Sequence, residues 1–305
     1  MDIIDLPKTW ANQEILSLAK AQCKTFKNRK ISEAEKEGIS DSGIFKSQSK
    51  SISLTELVSI DISNILGKPE ISGIASMNQA FQAYSISLYD MIKDNHFIRN
   101  GKPTFLKIYG KEYVHEIEEK YNNIFNRLSS ELEDAGVANA RKISNEQYIE
   151  TLRMDSFRNE NPVDKDINYS IFVQESISGM QTSKIALLLN SPGKLEFLCF
   201  YFGNALSTLD DLIDFFSEDF KNPKLTIPIA YFEKEFGPLG SMSIEEISKK
   251  FIQSNSMKNT KQYILHNLEK AKFILEETHE TRETLISLMN SEMINFLNRF
   301  PEKYI

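Results

Sequence analysis

Apolar positions along the chain recur every third or fourth residue over long stretches, with almost no two-residue alternation, so the pattern predicts helix throughout. Glycine and proline, 12 and 9 residues, fall at the edges of these stretches and punctuate them. The periodicity predicts helices over roughly residues 9–35, 53–66, 70–97, 104–135, 144–156, 166–190, 193–218, 226–236, 244–254, 260–279 and 281–298. The expected fold class is all-α. No composition shift marks a second domain, so residues 1–305 are expected to form one. The segment from Glu37 to Ser53 is rich in serine, glycine and lysine, and its glycines lack P-loop spacing; it is expected to be a mobile linker between the first two helices.

Composition narrows the function classes. A hydrophobic share of 41% is enough for a sizeable core, and a formal charge of −7 offers no basic footprint for DNA or RNA. Any strongly anionic ligand must therefore be held by a local site. Cys23 and Cys199 lie far apart in apolar helical patterns and are expected to be buried, reduced thiols. The first residues carry acids in place of a basic n-region, and no uninterrupted apolar run reaches a membrane span, so a cytoplasmic protein without a transmembrane segment is expected.

Two groups of acids carry the candidate chemistry. Asp90 and Asp94 are four residues apart and share a helix face, with the small or apolar Ala83, Ile86 and Ser87 one and two turns behind them. Asp210, Asp214 and Glu218 recur at every fourth residue after an uncharged run from Phe197 to Leu209. Like charges at this spacing cost a helix a few tenths of a kcal/mol per pair, roughly, unless a cation neutralises them. Hard oxygen donors select magnesium or calcium. Either row alone also reads as a solvated acidic stripe. Two such rows, each ending an apolar run and followed by basic residues, suit a trianionic ligand held between metals and cations.

The segment GNALSTLDDLIDFFSEDFKNPKLTIPIAYF resembles the second aspartate-rich region of the trans-isoprenyl diphosphate synthases, and SLYDMIKDNHFIRNGKPT resembles their first. QTSKIALLL is more weakly similar to the family's Lys-Thr segment, so the resemblance covers about residues 53–235 in order. It implies a bundle of long antiparallel helices around a deep apolar cavity, with three magnesium ions between the aspartate motifs and an allylic isoprenyl diphosphate as substrate. By this resemblance Asp90, Asp94, Asp210 and Asp214, with Asp211 beside them, are the metal-binding and catalytic acids, although Met91 replaces the middle aspartate of the first motif. Glu218 fits the related motif of some terpene synthases. Arg99 matches a diphosphate-holding arginine, and Lys221 or Lys224 supplies a further contact. The family is commonly dimeric, so a homodimer is one expectation.

The departures bear on the reaction. The family's isopentenyl diphosphate pocket is built from a Gly-Lys-Arg segment, a histidine and the second arginine; here the first position falls in the serine-rich segment near Lys50, and Ala83 and Asn100 stand for the other two, while Gln181, beside Thr182, replaces the lysine of the Lys-Thr segment and Ser207 replaces a glutamine. Each lost charge-assisted hydrogen bond is worth roughly 1.5–3 kcal/mol. The expected reaction is therefore ionisation of an allylic diphosphate by a terpene synthase, with Phe202, Leu206 and Ser207 behind Asp210 lining the cavity. The Phe202 ring is either a cation–π partner for a carbocation or simple core packing. A prenyltransferase, with an unusual acceptor or as an elongase, and a catalytically silent regulatory subunit are the alternatives. His96, His115, His266 and His279 stand isolated, without metal-ligand spacing.

Overall fold

The computed structural model describes residues 13–50, 54–99, 102–160, 166–189, 191–216, 225–239, 242–278 and 284–300. The described residues are helical apart from one short hairpin, as the periodicity predicts. The helices are α1 (Gln13–Lys36), α2 (Gly43–Gln48), α3 (Leu54–Leu66), α4 (Pro69–Lys93), α5 (Phe105–Tyr109), α6 (Lys111–Asp134), α7 (Ala140–Glu160), α8 (Ile167–Gln174), α9 (Met180–Leu188), α10 (Lys194–Asp214), α11 (Ile227–Phe236), α12 (Ile244–Ile252), α13 (Asn255–Glu277) and α14 (Leu285–Arg299). Strands β1 (Ile98–Arg99) and β2 (Lys102–Pro103) pair antiparallel, with Ile98 opposite Pro103. A single π-helical turn, Glu175–Gly179, joins α8 to α9. Trp10 lies outside the described residues, and none of the described helices is long and apolar enough to cross a membrane.

The chain forms two compact units. The first comprises Met1–Tyr148, Lys184–Pro192 and Glu283–Met289. Its centre is the packing of α4 on α6 and α3, where Met77, Phe81, Tyr84 and Leu88 of α4 meet Ile117, Tyr121, Phe125 and Leu128 of α6. Burial of these side chains, at about 1.5–3 kcal/mol each, holds α4 in place. Several polar groups inside this unit are paired: Lys30 of α1 forms an ion pair with Glu56 of α3, and Asn78 of α4 donates to the Phe125 carbonyl (2.9 Å) and to Ser129 Oγ (2.8 Å). The Asp61 carboxylate accepts from the backbone N–H groups of Leu285 and Ile286 (3.1 and 2.8 Å), satisfying donors at the start of α14 that have no partner within the helix.

The expected linker from Glu37 to Ser53 is corrected by α2. Ser42 caps this short helix by accepting from Phe45 N–H (3.0 Å), and Ile44, Phe45 and Gln48 are buried. The Phe45 ring stacks on Phe81 with centroids 6.4 Å apart. Three buried apolar residues in a polar segment, Ile39, Ile44 and Phe45, anchor it, a signal too short for periodicity to register.

The second unit comprises Ile149–Ser183, Gly193–Arg282 and Asn290–Ile305. Here α10 packs along α13, against the π-turn and against α11. Two glycines set the close approach of α10 to the segment around the π-turn. A β-carbon at Gly203 would collide with the Thr182 side chain and stand 2.8 Å from the Ser178 carbonyl, and one at Gly179 would stand 2.7 Å from Asn204 Nδ2. Cys199 of α10 is buried, as expected.

Candidate active site

In the first unit the acidic row stands at the C-terminal end of α4. Asp90 lies in the last turn and Asp94 is the C-cap, with φ −84° and ψ 0°, and Asp94 N–H donates to the Asp90 carbonyl at 2.9 Å. Both side chains are half-buried. The predicted helix to residue 97 is too long, for a local reason. Asn95 adopts φ 50°, His96 N–H donates to the Met91 carbonyl (3.1 Å) and Asn95 N–H to that of Ile92 (3.4 Å), the double hydrogen bond of a Schellman stop with asparagine in the left-handed position. The chain then turns into the hairpin. Thr104 locks that turn by donating through its N–H to the Phe97 carbonyl (3.0 Å) and through its hydroxyl to that of His96. Arg99 is placed by its backbone in β1.

Behind this row Ala83 and Ile86 are buried and Ser87 is half-buried. Ser85, one turn from Asp90, belongs to a polar cluster across α4, α6 and α7. Its hydroxyl lies 3.0 Å from Glu118 Oε1, 2.9 Å from Asn122 Oδ1 and 3.2 Å from Tyr148 Oη, and Tyr148 in turn donates to Glu118 Oε1 at 3.0 Å. Burial, with the Glu118 charge adding to it, pushes the Tyr148 phenol up to about 12. His115, expected to stand alone, lies with Nδ1 3.2 Å from Glu118 Oε2.

In the second unit the other row also stands at a helix C-terminus. Asp210 and Asp214 lie four residues apart in the last turns of α10, half-buried, with Asp211 between them. The predicted helix to residue 218 ends earlier, at Phe215. Phe215 packs at a tilt against Phe251 (centroids 4.0 Å apart) and near Phe232 (5.7 Å), while Phe216 packs near Phe300 (5.7 Å). This aromatic knot fixes the end of α10 and so the backbone of its acids. Glu218, Lys221 and Lys224 lie outside the described residues.

The second row has a cationic neighbour that sequence reasoning missed. Arg158, at the end of α7, places Nη2 3.4 Å from Asp211 Oδ2, both side chains largely buried, and also donates to Gln174 Oε1. Gln174 donates through Nε2 to Ser207 Oγ (2.8 Å) and Ser178 Oγ (3.2 Å). Ser207, singled out from the sequence, is thus tied through Gln174 to the arginine that meets the acidic row. Gln181, Thr182, Phe202 and Leu206 are all buried, with Phe202 fully so and Thr182 donating to the Ser178 carbonyl. Asn204 and Thr208 of α10 are also fully buried, and their amide and hydroxyl groups have no hydrogen-bond partner among the described residues.

In each unit a pair of carboxylates at a helix C-terminus offers hard oxygen donors. Among the described residues no group of three His, Cys, Asp or Glu side chains is placed to hold a metal. Magnesium does not require one, because it is usually bound by one or two carboxylates together with substrate phosphates. The pairs Asp90/Asp94 and Asp210/Asp214 fit that mode.

No protein-family model and no curated protein matches the sequence. Solved structures do match. A geranylgeranyl pyrophosphate synthetase from the archaeon Geoglobus acetivorans superposes with a TM-score of 0.75 at 17% identity, over 92% of this chain and 100% of that one. A polyprenyl synthase from Caulobacter crescentus, solved with calcium and isoprenyl diphosphate, gives 0.73 at 16% identity, over 95% and 98%. An octaprenyl pyrophosphate synthase from Helicobacter pylori gives 0.68 at 19% identity, over 92% and 99%. The fold is the all-α isoprenoid synthase fold. Within that class it is the form found in the trans-isoprenyl diphosphate synthases, here in a sequence that has diverged to 12–19% identity.

Proposed function

We propose that the chain is a magnesium-dependent enzyme that ionises an allylic isoprenyl diphosphate, acting as a terpene synthase. One observation carries the metal-dependent ionisation: both acidic rows end their helices at the C-terminus. There the carbonyl end of the helix dipole disfavours each carboxylate by about 0.3–1 kcal/mol, added to the repulsion within each row. Acids selected only for solubility are better placed at the other end. A bound cation offsets both penalties.

In this reading Asp90 and Asp94 of α4, and Asp210 and Asp214 of α10 with Glu218 beyond them, are the metal ligands, and three ions is the number the resemblance implies. When bound, magnesium neutralises charge on the diphosphate so that the allylic carbon–oxygen bond can break. The Asp211 carboxylate is held by Arg158, which in turn keeps Gln174 on Ser207. Arg99, Lys221 and Lys224 are the cations proposed for the departing diphosphate. Apolar residues behind each row, Ala83 and Ile86 on α4 and Phe202 and Leu206 on α10, exclude water from the hydrocarbon.

The terpene synthase reading rests on the uncharged Ala83, Asn100 and Gln181, which leave no evident second diphosphate site. A second reading, prenyl transfer to isopentenyl diphosphate or another acceptor, is favoured by the prenyl synthases among the similar structures. The experiment that separates them incubates the full chain and magnesium with geranyl, farnesyl and geranylgeranyl diphosphates, with and without isopentenyl diphosphate, and extracts the products. A hydrocarbon or alcohol from one allylic substrate alone is expected. A product five carbons longer would establish the elongase instead, and no product from any substrate would point to another acceptor or a silent subunit.

A further inference from the structure

The segment that follows the first acidic row presents a run of exposed apolar side chains. Phe97 and Ile98 of the hairpin, Ile108 and Tyr109 of α5 and Tyr113 at the start of α6 are all exposed, Ile98 by 62%, Ile108 by 55% and Phe97 by 49%. They form part of one continuous structure within the first unit. Ile98 pairs with Pro103, α5 starts two residues later, and the Tyr109 and Tyr113 rings lie 5.6 Å apart. The Tyr109 hydroxyl abuts Gly43 of α2, which seats α5 on the core and leaves Ile108 outward.

These apolar side chains are set among cations. Residues 93–111 contain five basic residues and one acid, in a chain whose formal charge is −7. Lys102, Lys107 and Lys111 are exposed and form no ion pair among the described residues. Aliphatic and aromatic side chains interleaved with lysines suit a surface that is apolar within and anionic at its face, which is the chemistry of a bilayer containing acidic lipids. Tyrosines are at home at that boundary, where the ring meets hydrocarbon and the hydroxyl meets water. A protein partner would need a complementary acidic and apolar face, and a second copy of this chain would bring the same lysines against each other.

We propose that the hairpin, α5 and the first turn of α6 dock on an anionic lipid surface, inserting Ile98 and Ile108 and placing Lys102, Lys107 and Lys111 at the headgroups. This inference does not depend on the proposed reaction, and it is tested without substrate. The full chain is sedimented with vesicles of phosphatidylcholine alone and of phosphatidylcholine mixed with phosphatidylglycerol, at low and high salt. Binding to the mixed vesicles and its weakening by salt are expected. The double variant Lys107→Glu/Lys111→Glu should lose at least about tenfold in partitioning to them, since a lysine near an anionic surface contributes about fivefold. Ile98→Ser/Ile108→Ser should weaken binding at both salt concentrations, with circular dichroism and molar mass recorded for every variant. Three results would each overturn the proposal: no sedimentation above the lipid-free control, equal binding by wild type and both variants, or a dimer that either variant converts to a monomer.

Discussion

Arg158 holds Asp211 and Gln174 at once, and so brings a cation to the second acidic row. Removing it takes an ion-pair partner from a largely buried carboxylate and frees Gln174 from one of its anchors. Arg158→Ala should therefore lower turnover about tenfold, cost about 1–3 kcal/mol of stability and shift the magnesium concentration needed for half-maximal rate. Arg158→Lys, which keeps charge and loses the fork, should recover part of each. A magnesium titration of all three proteins checks this, because a purely structural arginine would change stability and leave the metal dependence alone. The acids themselves were legible from spacing, since Asp90/Asp94 and Asp210/Asp214 follow the helical repeat. Their support was not. Arg158 and Asp211 are 53 residues apart and Gln174 and Ser207 are 33, and no local pattern reports contacts across such separations.

At the level of elements, helix periodicity found every long helix among the described residues, and two of its errors fell where one residue's backbone decides the boundary. Asn95 stops α4, and Gly110, with φ 83°, separates α5 from α6 within what periodicity joined as one helix. The π-turn inside the predicted helix at 166–190 is equally silent in sequence, because a single widened turn is too short for periodicity to register. The segment expected as a linker carries the most direct test. Phe45 of α2 is buried against Phe81 in the core of the first unit, so Phe45→Ala should cost about 3–5 kcal/mol in urea unfolding. A mobile linker would lose almost nothing.

For the whole molecule, pH reports on the buried tyrosines. The Tyr148 phenol is pushed up to about 12 from the ordinary value of 10.0, by burial first and by the Glu118 charge, against a hydrogen bond from Ser85. Because the folded state holds the proton more tightly than the unfolded chain, the contribution is complete below about pH 10 and is lost as pH rises towards about 12. Tyr148→Phe has no such proton to lose. The stability difference between wild type and variant should thus change across that window in wild type's disfavour, and a constant difference would show that Tyr148 titrates normally.

The proposed reaction itself is tested most directly by diphosphate release from an allylic isoprenyl diphosphate, with and without magnesium, for wild type beside Asp90→Ala and Asp210→Ala. Release that requires magnesium, and that falls by about a hundredfold or more in each variant, is the predicted result. Release that proceeds without metal, or that survives both substitutions, would contradict the assignment of the two acidic rows as the centre of the chemistry.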